Sequence, residues 1–344
     1  MRFLAALCCA LVVQINSLMA QAEHVDLALP TDNDALFRGG GEEFYQYIER
    51  DYKGQKSKPW EGGQYGFVRN PVETPAGIIY SRFHEGIDIK PLRRDARGEP
   101  LDEVRAIAPG KVAYTNHTQG ASNYGRYVVI EHIWGGAPYY SLYGHLRSIA
   151  VEPGRRVGRS EVIGGLGYSG AGLNQARAHL HLELNLMLSR NFEPWHSEFY
   201  KSEENRNGIY NGINLTGINI ARLYLELRKR PSLSIPEFLS EEEVFFRIGV
   251  RNSPHFYLPK LYPWIGGASG EDRPPSWEVS FTRAGIPVKL QRSTREVAGP
   301  MLTFIKPSAV DCYDLTRGLV TGRGENARLT DRGKRLARLL TYPD

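Results

Sequence analysis

From Leu180 to Leu186 every second residue of this chain is leucine, and His181, Glu183 and Asn185 stand between, with His179 in front. A period of two is the mark of a half-buried strand. Successive side chains of a strand point to opposite sides, so the leucines enter a core while His179 and His181 share the other face. A β-sheet is therefore the frame for whatever surrounds this segment. The same arithmetic applies to His84-Glu85-Gly86-Ile87-Asp88. Gly86 opposes a helix. An extended chain there puts His84 and Asp88 on one side, with Glu85, Ile87 and Ile89 on the other.

His145, in Tyr143-Gly144-His145-Leu146, adds a fourth imidazole to this set. Two nitrogens and one oxygen are a ligand set for a catalytic zinc whose fourth position stays open to water. Two spare imidazoles are then left to move protons and stabilise developing charge. A single His-x-His on a strand is more often an ordinary polar face, and a single His-x-x-x-Asp says less still. The three elements together, in this order, predict a metal centre. The segment at His84 is not the helical His-Glu-x-x-His zinc motif, because position 88 is Asp.

These residues resemble the lysostaphin-type, or LytM-like, zinc metalloendopeptidases that cut peptidoglycan cross-bridges. The likeness runs through His84-Glu-Gly-Ile-Asp-Ile, Ala108-Pro109-Gly110-Lys111-Val112, Tyr127 to His132, Ser141 to Leu146, and the glycine-rich turn Gly164 to Gly170 before His179-Leu180-His181. It covers roughly residues 76–190. The resemblance implies that His84, Asp88 and His181 are the zinc ligands and that His145 and His179 are catalytic without binding the metal. It implies a duplicated-hybrid-motif fold and, as substrate, the peptide part of peptidoglycan. A direct D-alanine–diaminopimelate cross-link is the bond expected, with a glycine bridge as the alternative. Two loops are longer than in the family, Pro91–Glu103 with Arg93, Arg94, Asp95 and Arg97, and Gly170–Ala178. Both are candidates to line a substrate groove. Glu183 lies on the His179/His181 face, where it either orients a ligand imidazole or is simply solvated. Tyr143 is a second candidate to face the groove. Ser169 is not read as a nucleophile, since Gly-Tyr-Ser-Gly lacks a strand-to-helix elbow.

A catalytically silent LytM-like module that activates a wall amidase would have lost one or more of the five residues, and all five are present. A sugar-phosphotransferase carrier domain also pairs histidines, but the exported start of the chain and Asp88 oppose it.

That start reads as a signal peptide over residues 1–22. Arg2 precedes the apolar run Phe3–Val13, too short to span a membrane, and Ala20-Gln21-Ala22 is a cleavage site giving Glu23 as mature start. Periplasm, cell envelope or medium is the expected location, with no stable membrane span after cleavage. Cys8 and Cys9 fall within the signal, leaving Cys312 alone, so no intramolecular disulfide and no cysteine-ligated structural zinc is possible. The net charge of +5 is a mild excess. Without a basic run interleaved with aromatics, nucleic acid is not an expected partner. A regulatory envelope protein would complete the partner set, although no residue pattern defines one.

The expected organisation is mainly β. Residues 23–75 form a lead-in with a helix near Glu42–Glu49. Residues 76–190 form a compact antiparallel β sandwich or barrel, read from short strands between glycine turns. Residues 191–344 form a small α+β module. In the last, Ser234-Ile-Pro-Glu237 is a capping box, Phe245–Val250, Trp277–Phe281 and Val288–Leu290 read as strands, and Thr330–Leu340 as a terminal helix. His132 is expected to be structural.

Overall fold

A computed structural model of the chain describes residues 25–47, 51–56, 59–266 and 274–343. The expected signal peptide and its cleavage site lie outside the described residues. The fold is mainly β. Its centre is a seven-stranded antiparallel sheet in the order Arg156–Val157, Gly110–Asn116, Tyr127–Trp134, Ala137–Gly144, Leu180–Met187 and Leu215–Gly217, with Ile87–Ile89 pairing beside Leu180–Met187. A three-stranded sheet of Ser148–Ile149, Val162–Gly165 and Glu103–Arg105 accompanies it.

Register decides which side chains meet. Leu182 lies opposite Tyr143 and Leu184 opposite Ser141, while His181 lies opposite Gly144 and Glu183 opposite Leu142. Residues directly opposite share a face. The leucines, Tyr143 and Ile130 therefore belong to the main core. Burying each leucine contributes roughly 1.5–3 kcal/mol relative to exposure, and Leu182→Ala would open a cavity directly behind the histidine face.

The polar face is not the solvated one that alternation predicts. Every residue of Leu180–Met187 is buried. A second cluster, Tyr127, Val129, Tyr140, Leu142, Met187 and Leu215, covers that face, closed by Tyr124, Ile209 and Tyr210. The covering comes from the chain beyond Asn191, which returns to add the strand Leu215–Gly217 to the sheet. At the other end, the hairpin of Gly66–Thr74 and Gly77–His84 straddles residue 76, with Thr74 paired to Gly77 and Gly66 to His84. The sheet and the hairpin thus run past both ends of the 76–190 segment.

Of the helix expected near Glu42–Glu49, the described residues form Gly41–Phe44, and residues 45–47 are not helical; residues 48 and 49 lie outside the described residues. Phe44 and Tyr45 are both buried, and Tyr45 bridges to Ile89. Pairing with the Ile87–Ile89 strand satisfies the backbone and buries two consecutive aromatics, which a continued helix could not do.

The C-terminal region holds a four-stranded antiparallel sheet in the order Pro287–Ser293, Ser276–Phe281, Phe246–Arg251 and Met301–Ile305. The last strand carries no clear sequence signal. The expected caps form. Ser234 accepts from the Glu237 amide at 3.2 Å, opening the helix Ile235–Ser240. Thr330 accepts from the Gly333 amide at 3.1 Å, opening Asp331–Thr341. This region presses on the first histidine segment. Arg317 pairs with Glu85 and lies over the Phe83 ring at 4.9 Å, and Arg283 lies over Phe67 at 4.2 Å.

Candidate metal centre

His84 ends one hairpin strand, and Asp88 sits in the short strand Ile87–Ile89. Between them the chain bends at Glu85–Gly86, so the segment is not one extended run as its sequence suggests. A Cβ on Gly86 would come within 2.4 Å of the Leu182 carbonyl oxygen. The bend packs against the Leu180–Met187 strand because residue 86 has no side chain. Asp88 then pairs with His181 in register, bringing the two segments together.

His84 Nε2 lies 3.2 Å from His181 Nδ1 and 3.1 Å from Asp88 Oδ1, and His181 Nδ1 lies 2.9 Å from the same oxygen. For zinc bonds of about 2.0–2.1 Å, the edge of a coordination tetrahedron is roughly 3.3 Å. The triangle fits that edge after a small expansion. These three are also the buried His/Asp group able to hold a metal ion among the described residues.

Each of the four imidazoles has one nitrogen committed elsewhere. His84 Nδ1 donates to the Gln64 carbonyl at 2.7 Å, His145 Nδ1 to the Ser169 carbonyl at 2.8 Å, and His179 Nδ1 to the Arg177 carbonyl at 2.8 Å. His181 is turned the other way, with Nε2 donating to Glu183 Oε1 at 2.7 Å. A carbonyl or carboxylate oxygen can only accept, so each of these nitrogens carries a proton. The second nitrogen of each ring is the one available to the centre: Nε2 of His84, His145 and His179, and Nδ1 of His181, whose proton on the Asp88 side is given up only when a metal takes its place. For His84, His179 and His181 that nitrogen lies within 3.3 Å of Asp88 Oδ1. His145 stacks edge-on with His179 at 4.6 Å between centroids and lies 5.7 Å from His181.

The centre's electrostatics follow from burial and neighbours. Burial works against charge on His181, but hydrogen bonds to Asp88 and Glu183 outweigh it and push its pKa up to about 10. Burial would raise Asp88, yet the surrounding histidines, led by His84, hold its carboxyl well below the usual range. Burial also dominates at His145 and is reinforced by His179 and His181, so that imidazole is held well below its ordinary value. His84 is lowered by burial despite Asp88.

His145 carries a further feature. Its φ of +62° is left-handed, a conformation that costs an L-residue roughly 1–2 kcal/mol. Backbone bonds hold it there: its amide donates to the Tyr124 carbonyl at 2.8 Å, and the next amide donates to Arg126 at 2.9 Å. Strain of this kind tends to collect at functional sites.

Glu183 is buried and accepts from Tyr124 at 2.9 Å and Asn185 at 3.0 Å as well as from His181. It is an orienting partner of His181, not a solvated residue. Tyr143, the other candidate, points away. It is fully buried on the core face opposite Leu182, and its hydroxyl accepts from the Ile107 amide at 2.8 Å. One position along the strand changes the face, so the tyrosine at the centre is Tyr124, whose ring lies 5.5 Å from His181. Nothing in the local sequence marks Tyr124, which sits in the loop before Tyr127–Trp134.

Arg69 also escapes a sequence reading. Its guanidinium donates to Asp88 Oδ2 at 2.5 Å and to the Gly62 carbonyl at 2.8 Å. A register shift between Phe67 and Arg69 in the hairpin re-aims the side chain, as bulges do. With Oδ2 held by Arg69, Oδ1 is the oxygen that faces the histidines.

Residues 82–194 match the family model described as Peptidase family M23. No curated protein matches the chain. Among solved structures, the catalytic domain of a mutant of the prophage-encoded M23 protein EnpA from Enterococcus faecalis is 24% identical, aligning 35% of this chain with 75% of that one at a TM-score of 0.26. A zinc-containing peptidase from Vibrio cholerae is 26% identical, aligning 41% of this chain with 36% of that one at 0.25. The catalytic domain of the antimicrobial peptidase lysostaphin from Staphylococcus simulans is 23% identical, aligning 35% of this chain with 76% of that one at 0.26. This chain spans about a third of the Vibrio protein's length and well over half of the other two. The stretch that matches the model of Peptidase family M23, residues 82–194, carries all five centre residues.

Proposed function

We propose that this chain is an exported zinc-dependent endopeptidase that hydrolyses the peptide cross-links of bacterial peptidoglycan. The observation that carries the reading is the set of four oriented imidazoles, each with one nitrogen pinned, three of them grouped around Asp88 Oδ1 and His145 beside them. His84 through Nε2, His181 through Nδ1 and Asp88 through Oδ1 would hold the zinc. Bound there, zinc would polarise a peptide carbonyl and acidify a water molecule. Arg69 keeps Asp88 from rotating, and Glu183 keeps His181 in its tautomer.

His145 and His179 stand beside the ligand triangle. Burial keeps His145 neutral at neutral pH, so its Nε2 can take a proton. His179 offers a second Nε2 on the same side. Together the pair supplies a proton acceptor and, once protonated, a hydrogen-bond donor for a developing oxyanion. The sheet behind them is packed on both faces, which holds the rings in place.

No helix among the described residues is long and apolar enough to cross a membrane, and the signal-like start of the sequence supports export. The test is digestion of purified sacculi with zinc-loaded protein, with muropeptides identified by mass. Release of monomeric stem peptides from cross-linked dimers is expected, suppressed by a chelator and restored by zinc. Intact cross-links, together with stimulation of an added wall amidase, would overturn the peptidase reading in favour of an activator.

A further inference from the structure

A cleft of about 490 Å³ lies beside the centre, lined by Gln46, Tyr47, Lys90, Arg94, Gly98 and Gln175 among others. Two of its walls are tied to site residues. The first is the strand that carries Asp88. Lys90 follows Asp88 by two residues and so lies on the same side of an extended chain, about 6.6 Å further along. The Phe44–Gln46 segment runs alongside, with Gln46 N donating to the Asp88 carbonyl and Lys90 N to the Phe44 carbonyl, both at 2.8 Å. The second wall is the turn that positions His179. Arg94 braces it, one guanidinium nitrogen donating to the Gly98 and Gln175 carbonyls, each at 2.8 Å. Two residues on from Gln175, the Arg177 carbonyl holds His179 Nδ1.

The cleft is positive. Its lining has two cations and no carboxylate. Arg94 braces the wall through one guanidinium nitrogen. Glu99, behind it, accepts from Tyr168 and from Gln175. The Lys90 ammonium lies over the Tyr47 ring at 5.5 Å. Among the described residues no acid forms an ion pair with it. The aromatic face holds the ammonium at the cleft wall, where an anion entering the cleft can reach it.

We infer that this cleft is a substrate subsite that takes a carboxylate of the peptide, with Lys90 as its charge partner. The inference rests on the peptidase reading and names the substrate class of that site: a peptide with a free carboxylate within about two residues of the scissile bond, since an extended residue spans about 3.3 Å. The longer loops Pro91–Glu103 and Gly170–Ala178 build the wall opposite Lys90.

The experiment uses two cross-linked stem peptides of one sequence, with either a free carboxylate or a carboxamide on the diamino acid. Zinc-loaded wild-type protein, Lys90→Gln and Lys90→Arg are compared at equal zinc content. Wild type should favour the carboxylate peptide on the order of 10-fold in kcat/KM. Lys90→Gln should bring the two peptides to equal kcat/KM, and Lys90→Arg should restore the preference. No preference in wild type, or a preference that survives Lys90→Gln, overturns the inference. If neither peptide is hydrolysed, it is the peptidase reading that fails. Titration of the same peptides into wild type and Lys90→Gln, followed by protein fluorescence, then still decides on the cleft. Tighter binding of the carboxylate form by wild type alone supports it, and equal or absent binding overturns it.

Discussion

Two buried histidines on opposite faces of one sheet behave in opposite ways. His181 faces Asp88 and Glu183, and its pKa is pushed up to about 10. His132 faces the core, stacked on Trp134, with Nδ1 donating to the Pro109 carbonyl and Nε2 2.7 Å from the Ser141 hydroxyl. Burial lowers its pKa to about 4. Both rings are almost wholly out of water. The difference is the neighbours: carboxylates make one face a cation site, while neutral partners make the other an uncharged brace. The sheet thus separates chemistry from support across its own thickness.

The comparison breaks most visibly at His181. His181→Ala should lose nearly all bound zinc and all hydrolysis, whereas His132→Ala should keep close to one zinc per chain while unfolding more easily. Elemental analysis beside denaturant melts reads both. Equal zinc loss in the two variants would erase the distinction between faces.

Next in size, His179→Ala should keep its zinc and lose hydrolysis of cross-linked peptide by on the order of 100- to 1,000-fold. Zinc content and muropeptide release, measured on one preparation, check this. A zinc-free His179→Ala with a zinc-replete His181→Ala would exchange the two roles.

The His132 face should appear in acid. Its folded pKa lies below that of a free imidazole, about 6.5, so the unfolded chain takes up the proton first. The stability it contributes is complete above pH 6.5 and is lost as pH falls towards 4. Between pH 7 and pH 5 the loss should be about 2 kcal/mol. Urea melts of wild type and His132→Gln across that range should differ in slope by this amount. Parallel pH dependence would mean that His132 does not titrate between the two states.

The smallest effect belongs to the groups behind the ligands. Glu183→Gln and Arg69→Gln should each weaken zinc binding on the order of 10-fold, read by competition with a chromophoric chelator. Unchanged affinity in both would show that packing alone orients His181 and Asp88.

Some of this was legible along the chain. Alternation from His179 to Leu186 set the strand and the face of its histidines, because parity in a strand is a local property. Glu183 followed from the same parity. Tyr143 did not, since its face depends on pairing with Leu182, a partner from a distant segment. Tyr124 and Arg69 reach the centre from a loop and a bulged hairpin, and neither position has a local pattern that marks it. The bend at Glu85–Gly86 was hidden too, because it exists where Gly86 meets the Leu182 carbonyl.

The sequence by itself determined the donor types, their order and the strands that carry them, because side-chain chemistry and period-two alternation are written residue by residue. The tertiary structure alone decided which oxygen of Asp88 faces the histidines, which nitrogen of each ring is pinned by an acceptor, and that the chain beyond Asn191 closes over the site. Those outcomes depend on hydrogen bonds and packing between residues far apart in sequence, such as Arg69 with Asp88, 19 residues on, and Glu85 with Arg317, 232 residues on. No local pattern carries that information.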